Sequence, residues 1–300
     1  MSPSCKWIIL GSGFSVNVAK RYLFQPENFE VRWTMDEVEI IDTNLDNILE
    51  YGICGYKDIK HEGLRRKIEW LKDRFWEGMK IKTLYSGEGG TQGMIEYIPG
   101  EYSWRPVEAS GYMFIHCIFV GFKRAYKGKG YGSRVMDECE KDARKGNMYG
   151  IAVVTREGPF MASKEIFLKR DFEVVDTAPP DFQLLVRKFN QNTPAPKFRE
   201  GWEERLNKYS DGLTIFQSDQ CPYLAKCIPE ITETAVNVYG IKPKIIDVRS
   251  CQDAQASPCA FGTFGIVYNG KLLAVHPISN KRFSNIMDKE LAQYAARDER

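Results

Sequence analysis

The sequence has no surplus of either charge. Lys and Arg total 42 against 40 Asp and Glu in 300 residues, a net charge of +2. Such a balance leaves no electrostatic footprint for nucleic acid or an anionic membrane surface, so neither is expected as a partner. Long apolar runs are also missing. No stretch approaches the ~18–20 residues that cross a bilayer. The apolar start Trp7-Ile8-Ile9-Leu10 falls short of the ~7–15 residues of a signal-peptide core. The eight cysteines fall at irregular spacings, with neither a small disulfide framework nor paired metal-ligand spacing. These absences predict a cytoplasmic chain without a metal site.

What is present is ordinary globular material, 43% hydrophobic and 27% charged, enough for about two domains at roughly 100–200 residues each. Residues 1–36 read as an N-terminal extension. Gly11-Ser12-Gly13 lacks the third glycine of a dinucleotide turn, since Val16 stands there. Residues 37–189 read as one mixed β/α domain. It begins with a strand at 38–42 and an amphipathic helix from His61 to Gly78, with Leu64, Ile68, Leu71 and Phe75 on one face. A hairpin over 80–98 follows. The proline-rich polar stretch Asn190–Lys197 predicts a linker over 190–210. A second unit spans 211–290, with a strand at 213–217, a helix at 224–239, a strand at 244–248 and a hairpin at Asn269-Gly270. Residues 291–300 read as a charged tail.

The most informative stretch is Ala125-Tyr126-Lys127-Gly128-Lys129-Gly130-Tyr131-Gly132-Ser133. It lies between an apolar strand at 112–120 and a helix at 133–145. A strand, a glycine-rich turn and a helix together bring free backbone N–H groups and a positive dipole end to one point, which suits phosphate. A P-loop needs Lys-Ser or Lys-Thr after its last glycine, and here Ser133 follows Gly132 directly. A dinucleotide turn is Gly-x-Gly-x-x-Gly, whereas this one is Gly-x-Gly-x-Gly. No later kinase motifs follow.

Lys127, Gly130 and Gly132, set between a long strand and a helix, resemble the acetyl-CoA loop of the GCN5-related N-acetyltransferase (GNAT) superfamily. Lys127 stands where Arg or Gln is usual. Ile166-Phe167-Leu168-Lys169-Arg170-Asp171-Phe172 is similar to the family's Phe-Tyr-x-Lys-x-Gly-Phe element. The resemblance covers about 38–189. It implies an α+β fold, the GNAT mixed-sheet acyl-CoA acyltransferase fold, with acetyl-CoA as cosubstrate and a small-molecule or peptidyl amine as acceptor. It also implies that Phe119, Val120, Lys127, Gly128, Lys129, Gly130, Tyr131, Gly132 and Ser133 bind the cofactor.

For catalysis, acetyl transfer needs a deprotonated amine, a polarised thioester carbonyl and a proton for the leaving thiolate. His116 stands where the family often has a Glu base, and it needs little tuning to act near pH 7. A satisfied histidine on a sheet face is the alternative. Glu96 and Glu101 are the other base candidates. Strand alternation predicts that Cys117 points away from His116. Phe167 replaces the family's usual Tyr acid, leaving Tyr126, Tyr131 or solvent. Tyr97, Tyr102, Trp104 and Arg105 are candidates for the acceptor pocket.

The order of elements after 213 looks like a smaller α/β thioredoxin-like domain, and the whole chain resembles bacterial acetyltransferases with a C-terminal YoaP-type domain. Cys221 is expected at a helix N-terminus, where the dipole favours a thiolate. Position 224 is Leu rather than the second Cys of Cys-x-x-Cys, and Gly262-Thr263 stands where that fold carries a cis-proline. Three functions stay open at this stage. The first is an N-acetyltransferase working by direct attack. The second is a thiol-redox protein using Cys221, and the third a non-catalytic acyl-CoA-binding module.

Overall fold

The computed structural model describes residues 38–298. The N-terminal extension at 1–36 and the end of the tail lie outside the described residues. The elements in the first part are β1 (Val38–Thr43), α1 (Ile48–Tyr51), α2 (Glu62–Trp76), β2 (Lys80–Ser86), β3 (Gly90–Pro99), β4 (Val107–Glu108) and β5 (Tyr112–Val120). Then come α3 (Tyr131–Lys145), β6 (Gly150–Thr155), α4 (Glu165–Leu168), β7 (Glu173–Ala178) and β8 (Phe182–Lys188). The expected linker contains β9 (Lys197–Phe198) and α5 (Trp202–Asn207). The chain continues as β10 (Leu213–Gln217), α6 (Leu224–Asn237), β11 (Lys244–Asp247), α7 (Cys251–Gln255), β12 (Gly265–Tyr268), β13 (Lys271–Ala274) and α8 (Asn280–Asp298).

The first part builds a seven-stranded sheet in the order β1-β2-β3-β5-β6-β8-β7. Only β5 and β6 run parallel within it; the other neighbours are antiparallel. Alternate strand residues feed two cores. Met113, Ile115, Ile151, Val153 and Leu185 pack with Val135, Met136 and Cys139 of α3. Tyr112, Phe114, Ala152, Val154 and Leu184 face the other way, toward Leu224, Ile228 and Ile231 of α6 and Phe283 of α8. Here the period-two side-chain pattern of strands decides which layer each residue joins.

The second part is a four-stranded sheet in the order β11-β10-β12-β13, with β10 parallel to β11 and antiparallel to β12. It shares its core with the first part. Leu64, Trp70 and Leu71 of α2 lie in one cluster with Ile81 and Met94 of the large sheet and Phe216, Val248 and Val267 of the small one. The described residues 38–298 accordingly belong to one unit. Among the described residues, no helix is long and apolar enough to cross a membrane.

Two glycines mark how closely the parts approach. A Cβ at Gly63 in α2 would lie 2.0 Å from the Pro222 carbonyl oxygen. One at Gly262, whose φ is +74°, would lie 2.3 Å from the Trp104 carbonyl oxygen. Helix propensity favours Ala over Gly by ~1 kcal/mol, yet Gly63→Ala should destabilise the protein by about 1–3 kcal/mol through forced backbone movement. Gly132→Ala, a helical position whose Cβ meets nothing within 4 Å, should leave stability unchanged or raise it. Urea unfolding of both variants checks the contrast, and a single transition is expected for the two parts together.

Candidate active site

The parallel pairing of β5 with β6 begins at Tyr112 opposite Gly150 and stops at Ile115 opposite Val153. Both strands continue, to Val120 and Thr155, without pairing to each other. An opening therefore forms in mid-sheet, and Cys117 to Val120 are part-exposed along it. Thr155 Oγ1 is buried beside this opening without a hydrogen-bond partner.

At the far end of β5 the chain enters the glycine turn. Gly128 and Gly130 have φ of +71° and +77°, a region that L side chains rarely adopt, and a Cβ at either, or at Gly132, would meet nothing within 4 Å. The space in front of the turn is open. Helix α3 starts at Tyr131 with no acidic residue in its first turn. The first amides of a helix lack intrahelical partners and sit at its positive end. Lys127 and Lys129 are exposed on the turn. The donor set of Lys127, Gly128, Lys129, Gly130, Tyr131, Gly132 and Ser133 is thus brought together, with Phe119 and Val120 at the adjoining strand end.

Around the point where β5 parts from β6, the register with β3 slips. Glu96 faces Cys117 and Tyr97 faces Ile115, so His116 is an extra residue, a β-bulge. The bulge corrects the alternation argument. His116 Nδ1 lies 3.7 Å from Glu96 Oε1, and Cys117 is under the influence of Glu96, Lys67 and Arg105 as well. Both side chains border one buried polar cluster.

At its centre, Lys67 Nζ of α2 donates to Glu96 Oε2 at 2.5 Å, and Gln220 Nε2 donates to Glu96 Oε1 at 3.0 Å. Burial alone would push the Glu96 carboxyl up, but the Lys67 ammonium and His116 outweigh it and hold the group at about 2. Lys67 is raised: desolvation opposes its charge, and the Glu96 carboxylate overcomes that. Arg105 is 3% exposed. Its guanidinium donates to the carbonyls of Trp104 and His116 and to Thr263 Oγ1, and desolvation lowers it to about 10.

His116 is closed to the base role at Nε2, because that atom accepts the Trp104 N–H at 2.9 Å. Its Nδ1 is buried without a hydrogen-bond partner, and desolvation lowers the imidazole to about 4. The other candidates lie apart. Glu101 sits on the exposed turn after β3, on a 470 Å³ pocket with Val107, Ser110, Tyr149 and Pro196. Tyr126 is on the turn before α3, its hydroxyl 2.8 Å from Ser86 Oγ. Tyr97 belongs to the α3 side of the sheet, where it donates to Asp142 at 2.5 Å. Tyr102 is exposed, whereas Trp104 is fully buried beside Trp70. The aromatic segment is therefore split, with only Trp104 and Arg105 at the cluster. Phe167 packs on Phe172 in the α3 core and offers no hydroxyl.

The second part closes the cluster. Gln220 and Cys221 come from the turn before α6, and Thr263 from the loop before β12. Cys221 is raised rather than lowered: desolvation outweighs the amides of Tyr223 and Leu224 that act on its thiol. Burial thus works against the expected dipole-favoured thiolate. Sequence reasoning missed Lys67 and Gln220. Lys67 could have been found as a lysine on the apolar stripe of α2, one residue before Ile68. Gln220 carries no signal.

A model of the acetyltransferase (GNAT) family matches residues 54–172, and a YoaP-like model matches residues 244–285. The chain is similar to the uncharacterized N-acetyltransferase YoaP of Bacillus subtilis, 28% identical over 254 residues, which cover 83% of this chain and 98% of that protein. Among solved structures, the PaiA N-acetyltransferase of Thermoplasma acidophilum in complex with coenzyme A is 16% identical, with a TM-score of 0.37, over 51% of this chain and 99% of that one. A putative streptothricin acetyltransferase of Bacillus anthracis in complex with acetyl coenzyme A is 20% identical, with a TM-score of 0.30, over 37% and 63%.

Removing one partner of a buried ion pair strands the other charge, at a cost of roughly 3–5 kcal/mol. Lys67→Met should destabilise the protein by that order, and Lys67→Met with Glu96→Leu should recover most of the loss in urea unfolding. Both His116 and Glu96 have folded values below their ordinary 6.5 and 4.5, so the folded state resists taking up these protons. Stability should then fall with acid, first between 6.5 and about 4 as His116 is forced to protonate, then from 4.5 toward about 2 with Glu96. Melting temperature against pH checks this; Glu96→Gln should flatten the lower limb.

Proposed function

We propose that this chain, which carries a GNAT acetyltransferase domain followed by a YoaP-like region, transfers the acetyl group of acetyl-CoA to an amine by direct attack. The observation that carries the reading is the opening between β5 and β6, which leads from the glycine turn at 128–132 to the bulge at His116. The amides of the turn and of the α3 N-terminus suit the pyrophosphate, with Lys127 and Lys129 adding charge. The pantetheine arm suits the opening beside Phe119 and Val120, where β5 is still paired to β3 but no longer to β6. Thr155 Oγ1 supplies a buried hydroxyl that lacks a partner.

The reaction joins the amine nitrogen to the thioester carbon, breaks the carbon–sulfur bond, releases an amine proton and returns a proton to the thiolate. Among the described residues no free base stands at the bulge: His116 Nε2 is engaged, and Glu96 is held by Lys67 and Gln220. Lys67 and Arg105 instead disfavour a cationic ammonium there and lower the acceptor's pKa, which favours the neutral nucleophile. The proton leaves to solvent, and with Phe167 in place of a tyrosine the thiolate is protonated from solvent too.

The strand order β11-β10-β12-β13 with α6, α7 and α8 supports a thioredoxin-like reading of the second part. Leu224 and the raised Cys221 thiol speak for a share in the acceptor site over redox chemistry of its own. Seven free cysteines among the described residues agree with a cytoplasmic setting.

Acetyl-CoA titrated into the full chain should bind at a single site, and Lys127→Glu with Lys129→Glu should weaken binding by about 10-fold or more through charge reversal at the phosphates. Undiminished binding in that variant would sink the assignment of the turn. In steady-state assays kcat/KM should climb with pH toward the amine's own pKa, and His116→Gln should leave the shape of that profile unchanged, whereas a histidine base would lose its limb in that variant.

A further inference from the structure

The buried charges at the β5 bulge do not balance. Lys67, Glu96 and Arg105 are 1%, 0% and 3% exposed. Lys67 is matched by Glu96 at 2.5 Å. Among the described residues Arg105 has no such match: its guanidinium donates to two backbone carbonyls and the Thr263 hydroxyl, none of them charged. His116 beside it is neutral at physiological pH, and Cys117 and Cys221 are neutral thiols. Two cations thus stand against one carboxylate in a region where isolated charge is strongly disfavoured. His116 Nδ1 lies at the same place, buried and 3.7 Å from Glu96 Oε1, which is beyond hydrogen-bond length.

The position of Arg105 says what kind of anion suits it. Its Nη2 lies 3.3 Å from the carbonyl of His116, the bulged residue at which β5 leaves β6. On the reading above, the thioester carbon lies by the same bulge. Cys117 and Cys221, both part-exposed, are the thiols whose charge state the guanidinium feels. An anion held there is only a few bonds from the attacking nitrogen. A guanidinium presents a planar fork of donors matched to a carboxylate.

Resting on the acetyltransferase reading, we infer that the acceptor is an amine bearing a carboxylate close to its nitrogen, an α- or β-amino acid, whose carboxylate Arg105 binds at the seam between the two parts. Polyamines and amines with a second cation are excluded by the same surplus of positive charge. The second part then contributes to specificity, since Thr263 and the 261–263 loop hold the guanidinium in place. The ring of Phe261 lies 4.7 Å from it.

The test is an acetylation assay, reading thiol release from acetyl-CoA, on matched panels: the twenty amino acids and β-alanine, their carboxamides, and their decarboxylated amines. The carboxylate-bearing members should be used with a kcat/KM at least about 10-fold above that of their carboxamides. Arg105→Gln should erase that preference and Arg105→Lys keep part of it. Equal or better use of carboxamides or plain amines overturns the inference and leaves the acetyltransferase reading intact. No acetylation of any carboxylate-bearing amine also overturns it. Calorimetric titration with coenzyme A reads the donor site separately, so failure to bind would count against the function itself.

Discussion

The ion pair between Lys67 and Glu96 is the joint on which the rest of the molecule closes. It links α2 to the middle of the large sheet in a place sealed from water, and Gln220 of the second part completes the carboxylate's hydrogen bonds. In such surroundings a half-satisfied pair is worse than none. The turn at 218–221 must therefore dock tightly on α2. The absence of a side chain at Gly63 lets Pro222 come close, and Arg66 pairs with Asp219 at 2.6 Å beside it. Packing and charge satisfaction thus demand the same geometry, and the two parts of the chain share a core as a result.

The bulge at His116 has a second consequence. An ordinary strand would have sent His116 and Cys117 to opposite faces; the extra residue turns both toward the cluster and ends the pairing with β6. The opening that suits an extended acyl donor and the polar floor that suits an acceptor come from this one irregularity. Arg105 steadies it by donating to the bulged carbonyl, and the Trp104 amide steadies it through Nε2 of His116. The residues that hold the bulge also set its electrostatics, which leaves the site short of negative charge.

Much of this was legible in the sequence. Hydrophobic periodicity marks α2, α3 and the main strands, and Asn269-Gly270 marks the last hairpin. The glycine spacing at 128–132 identifies a phosphate-suited turn by local chemistry alone. The acceptor side was not legible in the same way. Glu96 reads as one carboxylate among 40 acidic residues, and only the fold brings Lys67, Gln220 and Arg105 to it from distant positions. His116 suggests a base by its type and place, yet its role depends on a backbone N–H twelve residues away. The stretch at 190–210 reads as a linker from its prolines. The structure forms β9 and α5 there, because Phe198 and Trp202 find apolar partners in the shared core.

On the proposed function, donor and acceptor meet at the bulge, under a wall supplied by the second part. A crystal structure of the full chain with coenzyme A and an acetylated amine tests it most directly. The pyrophosphate is expected on the turn at 128–132, the pantetheine between β5 and β6, and the thiol at His116 with Cys221 facing it. A pantetheine arm that runs outside the sheet, or a thiol that ends in solvent away from the second part, would contradict it.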